Sequence, residues 1–259
     1  MRVLCLSDLH ARPLVVMDAI ENATERKFKY TGELAAIVKE ANPDVVVITG
    51  DIVAPQHVTL LSGFLRTFIP SDIPVIATLG NHELWGNGFK WTLRSLNEQR
   101  MPDDNVHFLD INGSVVLNGV NFVGGMLFFD GSMAISPKQK ITDWDGWNDW
   151  YIPGVEQGYK EWNQYYVDKI RSNMSDSLPN VLCTHHVPHE KLNGHEPSQY
   201  SFYSGMKDLL HDLKWGTRDR YVICGHTHRR VIGEVVPGFM CINVGSDYHN
   251  IESYILEIA

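Results

Sequence analysis

Along the first eighty residues, short apolar runs alternate with segments of mixed character. VLCL (3–6), VVVI (45–48) and VIATL (75–79) are almost wholly apolar, and helix-like segments fall near 31–41 and 57–69. A strand that is apolar on both faces must be covered on both, so the alternation predicts a parallel sheet flanked by helices. The pattern changes at 106–125, where two strand-like pieces flank Asn118-Gly119. That dipeptide suits the positive φ angles of a tight hairpin, so antiparallel strands are expected to join the sheet system. Residues 141–166 hold four of the seven tryptophans without a clean period at their start, and a helix is predicted from about 158 to 174. The alternation resumes with VLC (181–183), a helical piece near 203–213, YVIC (221–224) and three further strand-like runs, one turn being marked by Pro237-Gly238. Without a repeat, a low-complexity tract or a linker, one domain over 1–259 is expected, with an insertion at about 130–166.

Composition narrows the class. The chain has 259 residues, 44% hydrophobic and 20% charged, enough for a full core. No apolar run approaches the roughly 18 residues of a membrane span. MRVLCLSDLH passes straight into a strand-like run with no signal-peptide pattern, so a cytoplasmic location is expected. Cys5, Cys183, Cys224 and Cys241 lie far apart, three of them inside apolar runs, which points to buried free thiols in a reducing compartment. The N-x-S/T matches at Asn22 and Asn173 are then fortuitous. The net charge of −9, with no Lys/Arg cluster longer than a dipeptide, speaks against a broad duplex-binding surface. A small anionic ligand would need a local source of positive charge.

Most of the twelve histidines fall close to the ends of apolar runs. Five segments share one layout, an apolar run followed at once by groups able to ligate metal: LSDLH (Asp8, His10), ITGD (Asp51), TLGNH (Asn81, His82), LCTHH (His185, His186) and ICGHTH (His226, His228). Ligands of open α/β sheets bind at the carboxyl ends of strands, so neighbouring strands would bring these five tips together. Residues two apart on an extended segment share a face, which predicts that Asp8 pairs with His10 and His226 with His228. Gly50, Gly80 and Gly225 precede the polar groups, where a permissive backbone allows a sharp exit. One such tip means little, because Asp and Asn cap helices and His is often satisfied in a core. Five in succession exceed what capping requires. Carboxylate, imidazole and amide without thiolate suit Mn, Fe or Zn rather than a structural thiolate zinc site.

In these motifs, from Asp8 to His228, the chain resembles the calcineurin-like metallophosphoesterases. The resemblance implies an α/β fold, a four-layer α/β/β/α sandwich with two mixed β-sheets, and two divalent ions at the strand tips, Mn ahead of Fe, Zn, Ni or Co. One ion would be held by Asp8, His10, Asp51 and His228, the other by Asp51, Asn81, His185 and His226, with Asp51 bridging. His185 is preferred to His186 because the family's ligand directly follows the strand; His186 then stands as a substrate contact, beside Asn81 and Arg12. Arg12 could clamp phosphate or simply be a loop arginine. Two ions, two aspartates and a hydroxide sum to roughly +1, a local attraction for phosphate in an acidic protein. His82, if protonated, would serve as general acid, with Asp51 the other catalytic residue. The Ser/Thr phosphatase branch carries GD-x-x-DR, and Ala54 and Pro55 stand at the last two positions here, against a close protein-phosphatase relationship.

Other features divide between packing and function. His189 and His195 read as loop residues, and Arg229 and Arg230 are expected to point to opposite sides of a strand. Trp144, Trp147, Trp150 and Trp162 suggest a side cluster under an insertion, or else a lid over substrate or a dimer contact. The expected function is a dinuclear metal-dependent phosphoesterase with monoesters ahead of diesters and a small phosphorylated substrate. A phosphodiesterase or nuclease, with nucleic acid or phosphoprotein as partner, and a non-catalytic scaffold stand as alternatives, with homo-oligomerisation open and no membrane partner.

Overall fold

The computed structural model describes residues 1–11, 13–14, 27–28, 31–98, 105–142, 146–216 and 218–259. Among them the chain begins β1 (Arg2–Leu6), β2 (Pro13–Leu14), β3 (Lys27–Phe28), α1 (Thr31–Ala41), β4 (Val45–Thr49), α2 (Leu61–Leu65) and β5 (Val75–Thr78). There follow α3 (Asn81–Leu84), α4 (Phe89–Glu98), β6 (Val106–Phe108), α5 (Leu109–Asn112), β7 (Ser114–Leu117) and β8 (Val120–Gly125). The rest comprises α6 (Val155–Asn173), β9 (Asn180–Thr184), β10 (Arg220–Cys224), β11 (Val231–Val236), β12 (Phe239–Asn243) and β13 (Tyr254–Glu257).

The apolar runs become strands buried on both faces, as their composition requires. They form two mixed sheets, ordered β13-β1-β4-β5-β6 and β11-β12-β10-β9-β8-β7. Within the first, β1, β4, β5 and β6 run parallel and β13 is antiparallel to β1. Within the second, β8, β9, β10 and β12 run parallel, with antiparallel strands at both edges. Alternation then sorts the side chains: Val3, Cys5, Val45, Val47 and Ile76 meet Phe122, Val181, Cys183 and Ile223 between the sheets. Their neighbours in sequence, such as Leu4, Leu6, Val46, Leu182 and Val222, belong to the cluster that also takes in Leu34 and Val38 of α1 and Val167 and Ile170 of α6. This is the expected pair of mixed sheets with helical layers. All four cysteines are buried free thiols.

The hairpin at Asn118-Gly119 forms as read, with φ of 48° and 79° and Leu117 paired to Val120. The turn at Pro237-Gly238 joins β11 to β12. The helix expected near 57–69 is shorter, a 3₁₀ turn over Pro55–Leu60 leading into α2. The helical piece near 203–213 does not form; two 3₁₀ turns, Gln199–Tyr203 and Leu210–Asp212, stand there instead. The cause is competition for backbone groups. Met206 N bonds Val187 O, Leu209 N bonds Pro188 O, and His189 pairs with Asp208, so donors a helix would use are taken by the preceding loop.

One buried carboxylate ties the two sheets together at the end that bears the tips. Asp110, on α5, accepts from Leu79 N just after β5 at 2.8 Å, from Met126 N just after β8 at 2.8 Å, and from Tyr166 OH on α6 at 2.7 Å. Burial raises its pKa, and these three donors oppose that rise. Removing the acceptor leaves three buried donors unpaired. Asp110→Ala is therefore expected to lower the unfolding free energy by at least about 3 kcal/mol in urea titration, and a loss below about 1 kcal/mol would contradict the clamp.

Candidate metal centre

The five predicted tips converge. Asp51 is the shared member: its Oδ2 lies 3.8 Å from His10 Nε2, and its Oδ1 lies 3.4 Å from His185 Nε2. On the first side, His10 Nε2 is 3.2 Å from His228 Nε2, which is 3.6 Å from Asp8 Oδ1. On the second, Asn81 Oδ1 is 2.9 Å from His185 Nε2 and 3.1 Å from His226 Nδ1, with 3.2 Å between the two imidazole nitrogens. Two donors about 2.1 Å from one ion lie roughly 3.0 Å apart at right angles and up to about 4.2 Å apart when opposite. The 2.9–3.4 Å of the second group and the 3.2–3.8 Å of the first are both compatible with a coordination shell.

The outer hydrogen bonds agree with that role. His185 Nδ1 lies 2.9 Å from Thr49 O and His226 Nε2 lies 3.1 Å from Tyr203 O. Each carbonyl fixes the ring proton on the outward nitrogen and leaves the inward one with a lone pair. Residues and geometry thus fit two divalent ions sharing Asp51.

The backbone reaches this arrangement differently from expectation. Asp8, His10, Asp51, His226 and His228 have φ of 52°, 43°, 50°, 71° and 53°, left-handed values that cost a non-glycine residue energy. The pairs converge through these turns and not through strand alternation. Glycine serves as much for space as for freedom: a Cβ on Gly80 would run into Asp51 Oδ1, and one on Gly225 into Asp8 Oδ2. Glu83 faces away from His82 and gathers four backbone donors, Asp51 N at 3.2 Å, Ile52 N at 2.7 Å, Val53 N at 2.9 Å and Gly80 N at 2.7 Å, locking the tip of β4 to that of β5.

Charge makes the same point. Burial raises the Asp8 carboxyl, but the hydrogen bond from His228 and the charges of His185, His228 and His10 outweigh it and hold the group at about 2. Burial and then the charge of Asp8 push Asp51 well up. Two buried carboxylates in one site call for nearby cations. His226 is driven well down by burial and then by His186, so it is neutral and ready to ligate.

His82 stacks on Trp85 at 3.6 Å between ring centres, and its Nε2 is 3.6 Å from Asp51 Oδ2 and 3.5 Å from the Tyr248 hydroxyl. Burial, then His10, pulls it down to about 2. His186 must be corrected: its ring is 0% exposed, packed against Phe128 at 5.0 Å and His226 at 4.2 Å, with neither nitrogen hydrogen-bonded among the described residues. It lies beneath the site and is not available to a substrate in the cleft. Arg12 and Trp144 lie outside the described residues.

A cavity of about 530 Å³ opens beside Asp51, Asn81, His82, His226 and His228. Trp85, Trp147, Tyr200, Ser198, Asn193 and the loop residue His195 form part of its wall. His195 Nδ1 accepts from Arg229 Nε at 3.4 Å, whereas Arg230 turns to Glu252 at 3.1 Å; the two arginines diverge, but from the segment before β11 and not from a strand. His189 caps the turn over Glu190–Leu192 and does not line the cavity. The tryptophans divide as well: Trp162 stacks on Phe89 at 5.2 Å in the packing, Trp150 is exposed, and Trp147 walls the cavity. Sequence reading missed Asp149, which receives Asn81 Nδ2 at 2.7 Å. Its bond to Asn81 spans the chain from one tip to the segment between β8 and α6, and no local pattern marks such a contact.

The profile of the calcineurin-like phosphoesterases matches residues 1–230, and the chain belongs to that family. It is accordingly a metal-dependent phosphoesterase. Among solved structures it resembles a phosphopantetheinyl hydrolase from Mycobacterium tuberculosis, with a TM-score of 0.63 and 16% identity over 97% of this chain and 95% of that one. A dimetal phosphatase from Danio rerio aligns at a TM-score of 0.45 and 13% identity, over 95% of this chain and 87% of that one. No curated protein matches the sequence. Among the described residues no helix is long and apolar enough to cross a membrane.

Proton competition follows from the charge pattern. Burial opposes protonation of His228, but the hydrogen bond and charge of Asp8, then Asp51, raise its pKa above the ordinary value. An ion bound there must displace that proton. Calorimetric Mn²⁺ titration is expected to give a Kd that increases about tenfold or more per pH unit as pH falls below the raised His228 pKa, with proton release, and that levels off above it. A pH-independent Kd between 5.5 and 8.5 would contradict the assignment.

Proposed function

We propose that the chain is a phosphomonoesterase acting on a small phosphorylated substrate, with Mn²⁺ as the favoured ion. The observation that carries this reading is the carboxylate of Asp51, whose two oxygens face different donor groups at the floor of one cavity. Asp8, His10, Asp51 and His228 would hold one ion, and Asp51, Asn81, His185 and His226 the other. When bound, such a pair supplies Lewis acidity towards phosphate oxygens and lowers the pKa of water. Oxygen and nitrogen donors without thiolate favour manganese or a similar ion. Buried free thiols support a reducing, cytoplasmic setting.

The cavity supports the substrate class. Its volume suits a ligand of metabolite size, and its described lining holds aromatic, hydroxyl and amide groups but no lysine or arginine. Recognition of negative charge then falls to the ion pair, which suits a single phosphate better than a nucleic acid strand carrying many. The name of the mycobacterial neighbour brings phosphopantetheine compounds into a substrate panel, although at 16% identity the likeness supports the fold alone.

His82 stands at the cavity, beside Asp51 and backed by Trp85. With its pKa pulled down it is neutral at neutral pH, and bound cations would lower it further. We therefore assign it as a neutral hydrogen-bond donor to the oxygen leaving phosphorus, in place of the protonated acid expected from sequence. His82→Ala is expected to lower kcat on an alkyl phosphate by about 10²-fold and on an activated aryl phosphate much less; equal losses would contradict the role. Metal-stripped protein given Mn²⁺ should hydrolyse an aryl phosphate faster than the matching bis-aryl phosphate. Faster diester turnover would reverse the monoester preference, and no metal rescue on either ester would overturn the enzymatic reading.

A further inference from the structure

The segment between β8 and α6 carries into the site a carboxylate that the chemistry above does not use. Asp149 is 0% exposed, yet both of its oxygens are engaged by groups of the cavity wall. Oδ1 accepts from Asn81 Nδ2 at 2.7 Å and from Trp85 Nε1 at 3.0 Å, and Oδ2 accepts from Trp147 Nε1 at 2.9 Å. All three partners can only donate at these atoms, so the group they face is a pure acceptor. That asymmetry decides which way the amide of Asn81 points. With Nδ2 held on Asp149, Oδ1 is turned towards His185 Nε2 at 2.9 Å and His226 Nδ1 at 3.1 Å. The reversed amide would set its oxygen against a carboxylate and leave N–H groups, which cannot ligate, facing the inward imidazole nitrogens.

We propose that Asp149 is a positioning residue: it orients the amide oxygen of Asn81 into the second donor group and fastens that group to the two tryptophans of the cavity wall. The inference rests on the reading of Asn81 as a metal-holding residue. Its physical content goes beyond satisfying buried donors. A carboxylate on the amide N–H side draws electron density towards the carbonyl oxygen and strengthens it as a donor, as outer partners of metal ligands do. Trp85 and Trp147 are held by the same group, so the aromatic wall and the amide are fixed as one unit.

A structural carboxylate and a positioning one give different results in Mn²⁺ titrations of the full chain, read by calorimetry and by the exchange-coupled two-ion signal in electron paramagnetic resonance. Asp149→Ala is expected to weaken one of two Mn²⁺ sites by about 10- to 100-fold and leave the other near its wild-type affinity. Asp149→Asn must turn its own amide hydrogens either towards Asn81 and Trp85 or towards Trp147, so it breaks part of the clamp in either orientation and also weakens that site. Adding Trp147→Phe removes the competing N–H and lets the new oxygen face Asn81. The double variant is expected to regain Mn²⁺ affinity to within about threefold of Trp147→Phe alone. The comparison of Asp149→Asn with and without Trp147→Phe decides the matter should Asp149→Ala fail to fold. Wild-type binding of both ions by Asp149→Asn, or a loss that Trp147→Phe does not relieve, would overturn the positioning role. Undiminished binding of two ions by Asn81→Ala would instead overturn the reading of Asn81 on which the proposal rests.

Discussion

The structure depends on one electrostatic constraint, a buried carboxylate that must serve two sides at once. Asp51 is 1% exposed, lies near the ionised Asp8, and has its pKa pushed well up by both facts. A protein that only needed to be stable would replace such a group by an apolar one. Its retention, with each oxygen turned to a separate set of imidazole, carboxylate or amide donors, makes sense when cations complete the site. The cost is compounded by the left-handed backbone at Asp8, His10, Asp51, His226 and His228. Strain of this kind persists only where the surroundings over-determine the conformation.

Those surroundings are a series of buried acceptors. Glu83 gathers backbone N–H groups from the tips of β4 and β5. Asp110 joins the tip of β5 to that of β8 and to α6. Asp149 joins Asn81 to the cavity wall. Glu83 and Asp110 sit where a chain leaves a strand and regular sheet bonding ends, so they accept from backbone donors the ladder no longer satisfies, whereas Asp149 accepts from the side-chain N–H groups of Asn81, Trp85 and Trp147. The apolar interior between the sheets, built from Val3, Cys5, Val47, Phe122, Val181 and Ile223, fixes the strands that the acceptors then finish. Packing sets the positions of the strands, and hydrogen bonds set the aim of their last residues.

Much of this was legible in the sequence, and the limits have physical causes. Continuous apolar runs identify β1, β4, β5, β9 and β10 because burial on both faces forbids polar positions. Asn118-Gly119 identifies a turn because few residues take its φ values. The convergence of Asp8, Asp51, Asn81, His185 and His228 could be read because each donor lies within a few residues of the end of an apolar run. The left-handed conformations could not, because Asp and His tolerate them more readily than most residues but nothing local singles out these five among the chain's many Asp and His. Residues 203–213 have helical composition but lose the contest for backbone donors to the loop at 187–190, a contact visible only in the fold. His186 and Asp149 were misjudged or missed for the same reason: the burial of one and the partners of the other come from distant segments.

The central claim is that separate strand tips hold two ions around a shared Asp51. Anomalous diffraction at the manganese edge from crystals grown in Mn²⁺ tests it most directly. The expected result is two peaks roughly 3.5 to 4 Å apart, one among Asp8, His10, Asp51 and His228 and the other among Asp51, Asn81, His185 and His226. A single peak, a peak held by His186 in place of His185, or none at full Mn²⁺ saturation would contradict it.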